Sequence, residues 1–212
     1  MKTFSPLTLI CSAAFLSVLC LASVSASAYS GYIGGGFHMG KYQFNATYDD
    51  WNPIGESDDP VKDRFNATGS GIMLKIGQYI SPSFAVEAHY VAGLGGDSFS
   101  HSKINTGAST PTGYDSDADF NAAWGIFAKP MGFLSESNKV YGLIGYGGVD
   151  FDIDNDDASY DNLSPSSSFA FGLGFESEVE YGIFLGAEYV AYLYHGDGAY
   201  NSFNVTLSAY VW

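Results

Sequence analysis

Two alternating runs joined by a short proline-containing segment constrain this chain more than any other stretch. Ile72, Leu74 and Ile76 share one face, with Gly71, Met73, Lys75 and Gly77 on the other. After Ile80-Ser81-Pro82-Ser83, the residues Phe84, Val86, Ala88, Tyr90 and Ala92 repeat the apolar face, while Ala85, Glu87, His89 and Val91 look away. Strict alternation on both sides of a turn predicts a β-hairpin. A pairing symmetric about Ser81 sets Ile76 against Val86, Leu74 against Ala88 and Ile72 against Tyr90. It also sets Lys75 directly across from Glu87, so apolar pattern and charge pattern agree on one register.

The second face decides the environment. A solvated face of a soluble sheet is rich in charge, but here it carries small residues and isolated, pairable charges. That suits the lumen of a narrow barrel filled by side chains, with the apolar face turned to lipid. Composition agrees. Aromatic residues make up 17% and charged residues 15% of the chain, with 26 glycines, whereas roughly 25% charge is usual in soluble domains.

Residues 1–28 carry Lys2, a mostly apolar run from Leu7 to Leu21, and a small-residue exit, Ala26-Ser27-Ala28. This is the pattern of a secretory signal peptide cleaved after Ala28, leaving 29–212 as one barrel domain. Cys11 and Cys20 both lie in the leader, so the mature chain is expected to hold neither disulfides nor thiolate metal sites. Losing Lys2 moves the net charge from −15 to −16. Net charge of that sign argues against nucleic acid as a partner.

Further strands follow. The first runs from Tyr32 to Tyr48; its glycines, Gly34 to Gly36, lack the spacing and the following helix of a dinucleotide fingerprint. Glycine here relieves crowding and permits curvature. Phe120, Ala122, Trp124, Ile126 and Ala128 alternate with Asn121, Ala123, Gly125, Phe127 and Lys129, ending near Pro130. Lys139 to Phe151 forms a strand with two competing phases, of which the Tyr141, Leu143, Val149 and Phe151 set is expected to face outward. Phe169, Phe171, Leu173 and Phe175 alternate with Ala170, Gly172, Gly174 and Glu176. In the next strand Ile183, Leu185, Ala187, Tyr189, Ala191 and Leu193 oppose Phe184, Gly186, Glu188, Val190 and Tyr192, and centring this hairpin on Val179 pairs apolar with apolar. Tyr200 to Trp212 is the last strand, with Phe203, Val205, Leu207, Ala209 and Val211 assigned to the lipid face.

Long polar segments, Asp49–Arg64, Gly95–Asp119, Asp152–Ser167 and the shorter His195–Ala199, alternate with short turns. All loops then share one end and all turns the other. The fold class is all-β: an eight-stranded, antiparallel, up-and-down transmembrane β-barrel, asymmetric in the manner of outer-membrane barrels.

The Gly-rich YIGGGF, the hairpin GIMLKIGQYISPSFAVEAHY with its inward Lys and Glu, VYGLIGYGG, FAFGLGF, FLGAEYVAYLY and the terminal Tyr210-Val211-Trp212 resemble the small outer-membrane β-barrel proteins of Gram-negative bacteria, the OmpA/OmpX-like, porin-family barrels. The resemblance implies residence in the cell outer membrane, contact with outer-membrane lipid and lipopolysaccharide, and a C-terminal signal, Tyr210 and Trp212, read by the barrel assembly machinery. Trp stands where Phe is commoner.

Inward charges need partners in a packed interior, so Lys75, Glu87, His89, Lys129, Glu176 and Glu188 are expected to form a structural polar network. No cofactor and no metal are expected. Asp152, Asp154 and Asp156 alternate as calcium ligands would, yet Asp157 and Leu163 stand where an EF-type loop needs Gly and Glu. A divalent-cation site bridging lipopolysaccharide is the weaker alternative to a solvated acidic loop. His101-Ser102 and the group of His195, Asp197 and Ser202 supply the residue types of a lipid-modifying enzyme without its spacing. The functional expectation is therefore a non-enzymatic protein with a structural or surface role, in envelope integrity or in loop-mediated binding or adhesion to an unidentified extracellular ligand. A narrow porin-like channel is the alternative. A soluble lipocalin-like barrel would instead bury Ile72, Leu74, Phe171 and Leu185.

Overall fold

Alternation written along nearly every segment is realised as continuous, closed pairing. The structure, a computed structural model, describes residues 31–48, 61–98, 100–104, 117–154, 167–195 and 198–211. The strands are β1 (Gly31–Tyr48), β2 (Val61–Ser81), β3 (Phe84–Ser98), β4 (Ser100–Ile104), β5 (Asp117–Phe133), β6 (Asn138–Asp154), β7 (Ser167–Glu180), β8 (Ile183–His195) and β9 (Gly198–Tyr210). The order β1-β9-β8-β7-β6-β5-β3-β2 closes through β1–β2 pairing, and β4 continues the line of β3 along β2. Eight antiparallel staves result. Closure removes every edge, so the backbone groups of the wall are satisfied within it, as hydrocarbon demands.

The two faces are inverted relative to a soluble barrel. Ile72, Leu74, Phe171 and Leu185 are all at least 40% exposed on the outside, which rules out the lipocalin-like arrangement. An apolar surface this continuous far exceeds what soluble monomers expose and belongs against lipid. Phe203, Val205 and Leu207 face out as expected, opposite the buried Asn204, Thr206 and Ser208.

Both clean hairpins keep their faces but shift register. Ser81 pairs with Phe84 around a two-residue turn, and beyond a bulge near Tyr79 the partners become Ile76 with Ala88 and Lys75 with His89. Glu87 therefore stands opposite Gly77, not Lys75. The β7–β8 hairpin turns at Tyr181-Gly182, with Gly182 at φ 76. Only glycine adopts that left-handed conformation without strain. Phe175 thus pairs with Ala187, where centring on Val179 had set it against Ile183. Both shifts are even, so the side-chain faces survive.

Three phase assignments change. In β6, Tyr141 is 5% and Leu143 1% exposed while Ile144 is 53% exposed. The Val140, Ile144 and Tyr146 set faces lipid, because Tyr141 is needed inside by a carboxylate. Phe120 turns into the lumen, out of step with Ala122, at a register shift between them. Leu193 likewise turns inward after a shift between Ala191 and Leu193. A bulge adds a residue and reverses the alternation beyond it.

Strands also run farther into the polar segments than expected. Val61–Arg64, Gly95–Ser98 with β4, and Asp152–Asp154 are paired strand, and β5 passes Pro130 to Phe133. Beyond the apolar belt both faces of a strand are polar, so pairing continues where alternation has stopped. Residues 1–30, which include the expected leader, lie outside the described residues.

With no cysteine after Cys20, single replacements can report the β6 phase. A bimane attached at Ile144→Cys should be quenched by nitroxide-labelled lipid, and one at Leu143→Cys should not; the reverse pattern would restore the Tyr141-outward phase.

Candidate functional site

The inward residues converge at mid-height in one network. Lys75, Glu87, His89, Lys129, Glu176 and Glu188 are between 0 and 3% exposed. Lys129 Nζ lies 2.9 Å from Glu87 Oε2 and 2.9 Å from Glu176 Oε1. Lys75 Nζ lies 3.3 Å from Glu176 Oε1 and 3.6 Å from Glu188 Oε2. His89 Nε2 sits 2.6 Å from Glu87 Oε1 and His89 Nδ1 2.9 Å from the Tyr192 hydroxyl. The expected set is thus brought together, but with different pairings: Glu87 goes to Lys129 and His89, and Lys75 goes to Glu176 and Glu188.

Sequence reasoning missed the neutral members. Tyr32 donates its hydroxyl proton to Glu87. Tyr141 donates to Glu188 Oε2 at 2.8 Å, and Asn204 Nδ2 donates to Glu188 Oε1 at 3.2 Å. The Tyr141 ring also lies 4.0 Å under the Lys129 ammonium, a favourable cation–π placement. Counting Tyr32, Lys75, Glu87, Lys129, Tyr141, Glu176, Glu188 and Asn204, every one of the eight staves contributes. Lys75 on β2 and Glu176 on β7 stand on opposite walls, four staves apart in either direction, so their contact spans the lumen.

Aromatic layers pack on both sides of the network. Toward the loop end, His38 stacks on Phe120 and on Tyr200 at 5.6 and 5.7 Å. His38 Nδ1 donates to Asn204 Oδ1 at 2.7 Å, leaving Nε2 to accept from the Tyr200 hydroxyl at 2.6 Å. Phe151 closes on Phe120 and Tyr200. Toward the turn end, Lys139 Nζ donates to the Tyr210 hydroxyl at 3.0 Å and lies 4.2 Å from the Phe184 ring. Tyr210 meets Phe184 and Tyr79 edge-on. Tyr210 therefore has a packing role at this mouth, while Trp212 lies outside the described residues.

One signal could have revealed the aromatic fill: glycines that alternate in the inward phase. A Cβ on Gly77 would collide with the Tyr32 ring, on Gly40 with Tyr200, and on Gly174 with Tyr141. Each of these three inward glycines is the slot for a ring from a neighbouring strand.

Among the described residues, one group has the ligand types for a metal: Glu87, His89 and Glu188, with donor atoms within 4.8 Å of one another. Those atoms are already engaged by Tyr141, Tyr192 and Asn204, and the two ammoniums supply the local positive charge, so the arrangement is that of a self-satisfied structural network. The Asp156 and Asp157 positions, and Asp197 of the enzyme-like group, lie outside the described residues, as do the side chains of His101 and His195. Ser202, the remaining member, is buried and donates to the Val190 carbonyl at 3.2 Å.

Residues 11–210 match the family described as Outer membrane protein beta-barrel domain. No curated protein matches the chain. Among solved structures, the chain is similar to OprG, an outer membrane protein of Pseudomonas aeruginosa, at 13% identity, TM-score 0.55, covering 86% of this chain and 96% of that one. It is also similar to Ail, the attachment invasion locus protein of Yersinia pestis, solved with the heparin analogue sucrose octasulfate, at 15% identity, TM-score 0.50, covering 87% and 99%. At such identities the likeness establishes the fold.

Glu87→Ala should strip Lys129 of a buried counter-charge and His89 of its hydrogen-bond partner, and cost about 3–5 kcal/mol in urea unfolding from lipid vesicles. Lys139→Ala at the mouth should cost less than about 2 kcal/mol. Equal small losses would mean that the network is solvated.

Proposed function

The chain belongs to the outer membrane protein β-barrel domain family, and from that footing we propose that it is a sealed, non-catalytic anchor of the cell outer membrane that presents its polar segments outside the cell. The observation that carries the reading is the lumen. A network drawn from all staves crosses it, aromatic layers lie on either side, and among the described residues no continuous polar column remains for a solute. Eight staves enclose little more than the volume of their own side chains, so transport is a poor use of this barrel. What remains for a partner is the loop end.

Function on this reading resides in Asp49–Pro60, Asn105–Ser116 and Asn155–Ser166, two of which are rich in Asp and Glu. Their charge favours a ligand carrying a basic patch. It is the wrong sign to copy the polyanionic sucrose octasulfate of the Ail structure. Surface attachment, or a contribution to envelope integrity, follows from such placement. Assembly would begin from the C-terminal strand, where Tyr210 already packs across the turn-end mouth.

In planar lipid bilayers the purified barrel should give no discrete conductance steps, and protease added to intact cells should cut within the loop segments. Reproducible steps would favour the narrow-channel alternative; loops resistant in intact cells but cut in opened ones would reverse the orientation.

A further inference from the structure

Lys75, Lys129 and Lys139 all turn into the lumen, and the last is held differently from the others. Lys75 and Lys129 each reach two carboxylates. Lys139, at the turn-end mouth, is only 5% exposed, yet among the described residues no carboxylate stands within ion-pair distance of its ammonium. Rings surround it instead. Nζ lies 4.2 Å from the centre of Phe184, 5.5 Å from Tyr79, 5.5 Å from Tyr210 and 5.8 Å from Phe133. A hydrogen bond to the Tyr210 hydroxyl at 3.0 Å completes the set. The rings come from β8, β2, β9 and β5, and Lys139 from β6, so the cage exists only in the closed barrel.

Aromatic faces gathered around an ammonium are the arrangement by which proteins recognise alkylammonium ions. Access and an alternative partner for Lys139 set this cage apart from a purely structural contact. Phe184 at its floor is buried, but Phe133 is 51% and Tyr210 41% exposed, so the lip opens at the mouth. Lys139 pairs with Glu176 in the β6–β7 register, which sets Glu178 two residues farther along on the same face, a diagonal that a lysine spans. Glu178 Oε1 accepts from the Gly182 backbone N–H at 2.8 Å, and a carboxylate has a second oxygen to offer. Glu136 and Glu180 are exposed on the neighbouring turns, and among the described residues no lysine or arginine is exposed at this end. The field at the mouth therefore draws cations in.

We propose that the turn-end mouth is a binding site for a small alkylammonium ion, with Phe184, Tyr79, Tyr210 and Phe133 receiving the cation and Lys139 as the resident that it displaces onto Glu178. One ammonium is exchanged for another in the same ring cage, and the displaced lysine gains a carboxylate, so no charge is left unpaired. The mid-height network keeps its own partners throughout, and the lumen stays closed while the mouth binds. The site depends on neither the loop segments nor the orientation of the barrel in the membrane.

The test is an NMR titration of the purified barrel in a maltoside detergent, with choline and its neutral carbon isostere, dimethylbutanol, as probes. In wild type the ε-methylene resonance of Lys139 should shift saturably with choline and stay in place with the isostere. Lys139→Ala removes the competitor, so choline binding, read on the Tyr210 ring, should tighten about tenfold, and Phe184→Leu in that background should weaken it about tenfold. Glu178→Gln should weaken choline binding about fivefold when Lys139 is present and by less than about twofold when it is alanine. The comparison of choline with its isostere on wild type needs no variant, so it stands even if a variant misfolds. No saturable shift in wild type, equal binding of the isostere, or an affinity of Lys139→Ala within about twofold of wild type would each overturn the proposal. Those results leave the loop reading intact, which fails instead by the protease test on intact cells.

Discussion

Lys129, buried in the centre of the lumen and shared at 2.9 Å by Glu87 and Glu176, is the contact on which the rest of this barrel depends. A membrane barrel gains nothing from hiding apolar side chains in its interior, since lipid receives them equally well. Its interior must cohere by other means. Here opposite charges and tyrosine hydroxyls from every stave meet at one level, and each wall is tied to walls beyond its hydrogen-bonded neighbours. The penalty of desolvating those ions is offset only while all of them are partnered. The network therefore favours the closed, eight-stave arrangement over any in which one stave is missing or slipped by a residue.

Much of the fold was legible, and the reason is period. Wherever one face met lipid and the other the lumen, as in Phe169–Phe175 or Ile72–Ile76, alternation stood out and the faces were assigned correctly. Register was less legible. Apolar pairs are almost interchangeable under an even shift, so only the turn, Pro82-Ser83 or Tyr181-Gly182, distinguishes the alternatives. β6 misled because both of its phases are apolar: Tyr141 and Leu143 serve the lumen and Val140 and Ile144 serve lipid, with glycines between. Bulges at Phe120 and Leu193 add a residue without any compositional mark.

The charged members of the network were identifiable because a charge on the lumen face has nowhere else to go. Their pairing was not, since it depends on which staves face one another across the lumen. Tyr32 and Tyr141 were invisible as polar residues because tyrosine reads equally well as an aromatic facing lipid. Gly77 beside Tyr32 and Gly174 beside Tyr141 are the marks that those rings point inward. The chain's charges divide likewise: Lys75, Lys129, Glu87, Glu176 and Glu188 meet in the lumen, whereas further acids crowd the long polar segments. A structural core, a lipid-facing belt and a polar rim are thereby assigned to different residues, so a substitution in the rim need not disturb what closes the barrel.

The measurement that tests this account most directly is a double-mutant cycle across the lumen, Lys75→Met and Glu176→Gln, read by urea unfolding from lipid vesicles. Lys75 and Glu176 come from opposite staves and meet at 3.3 Å, so a sealed, water-excluding lumen predicts that the double variant is more stable than the sum of the single losses implies, by about 1 kcal/mol or more. Losses that add to within about 0.5 kcal/mol would show that the two charges do not feel each other, and that the lumen is neither closed nor held by this network.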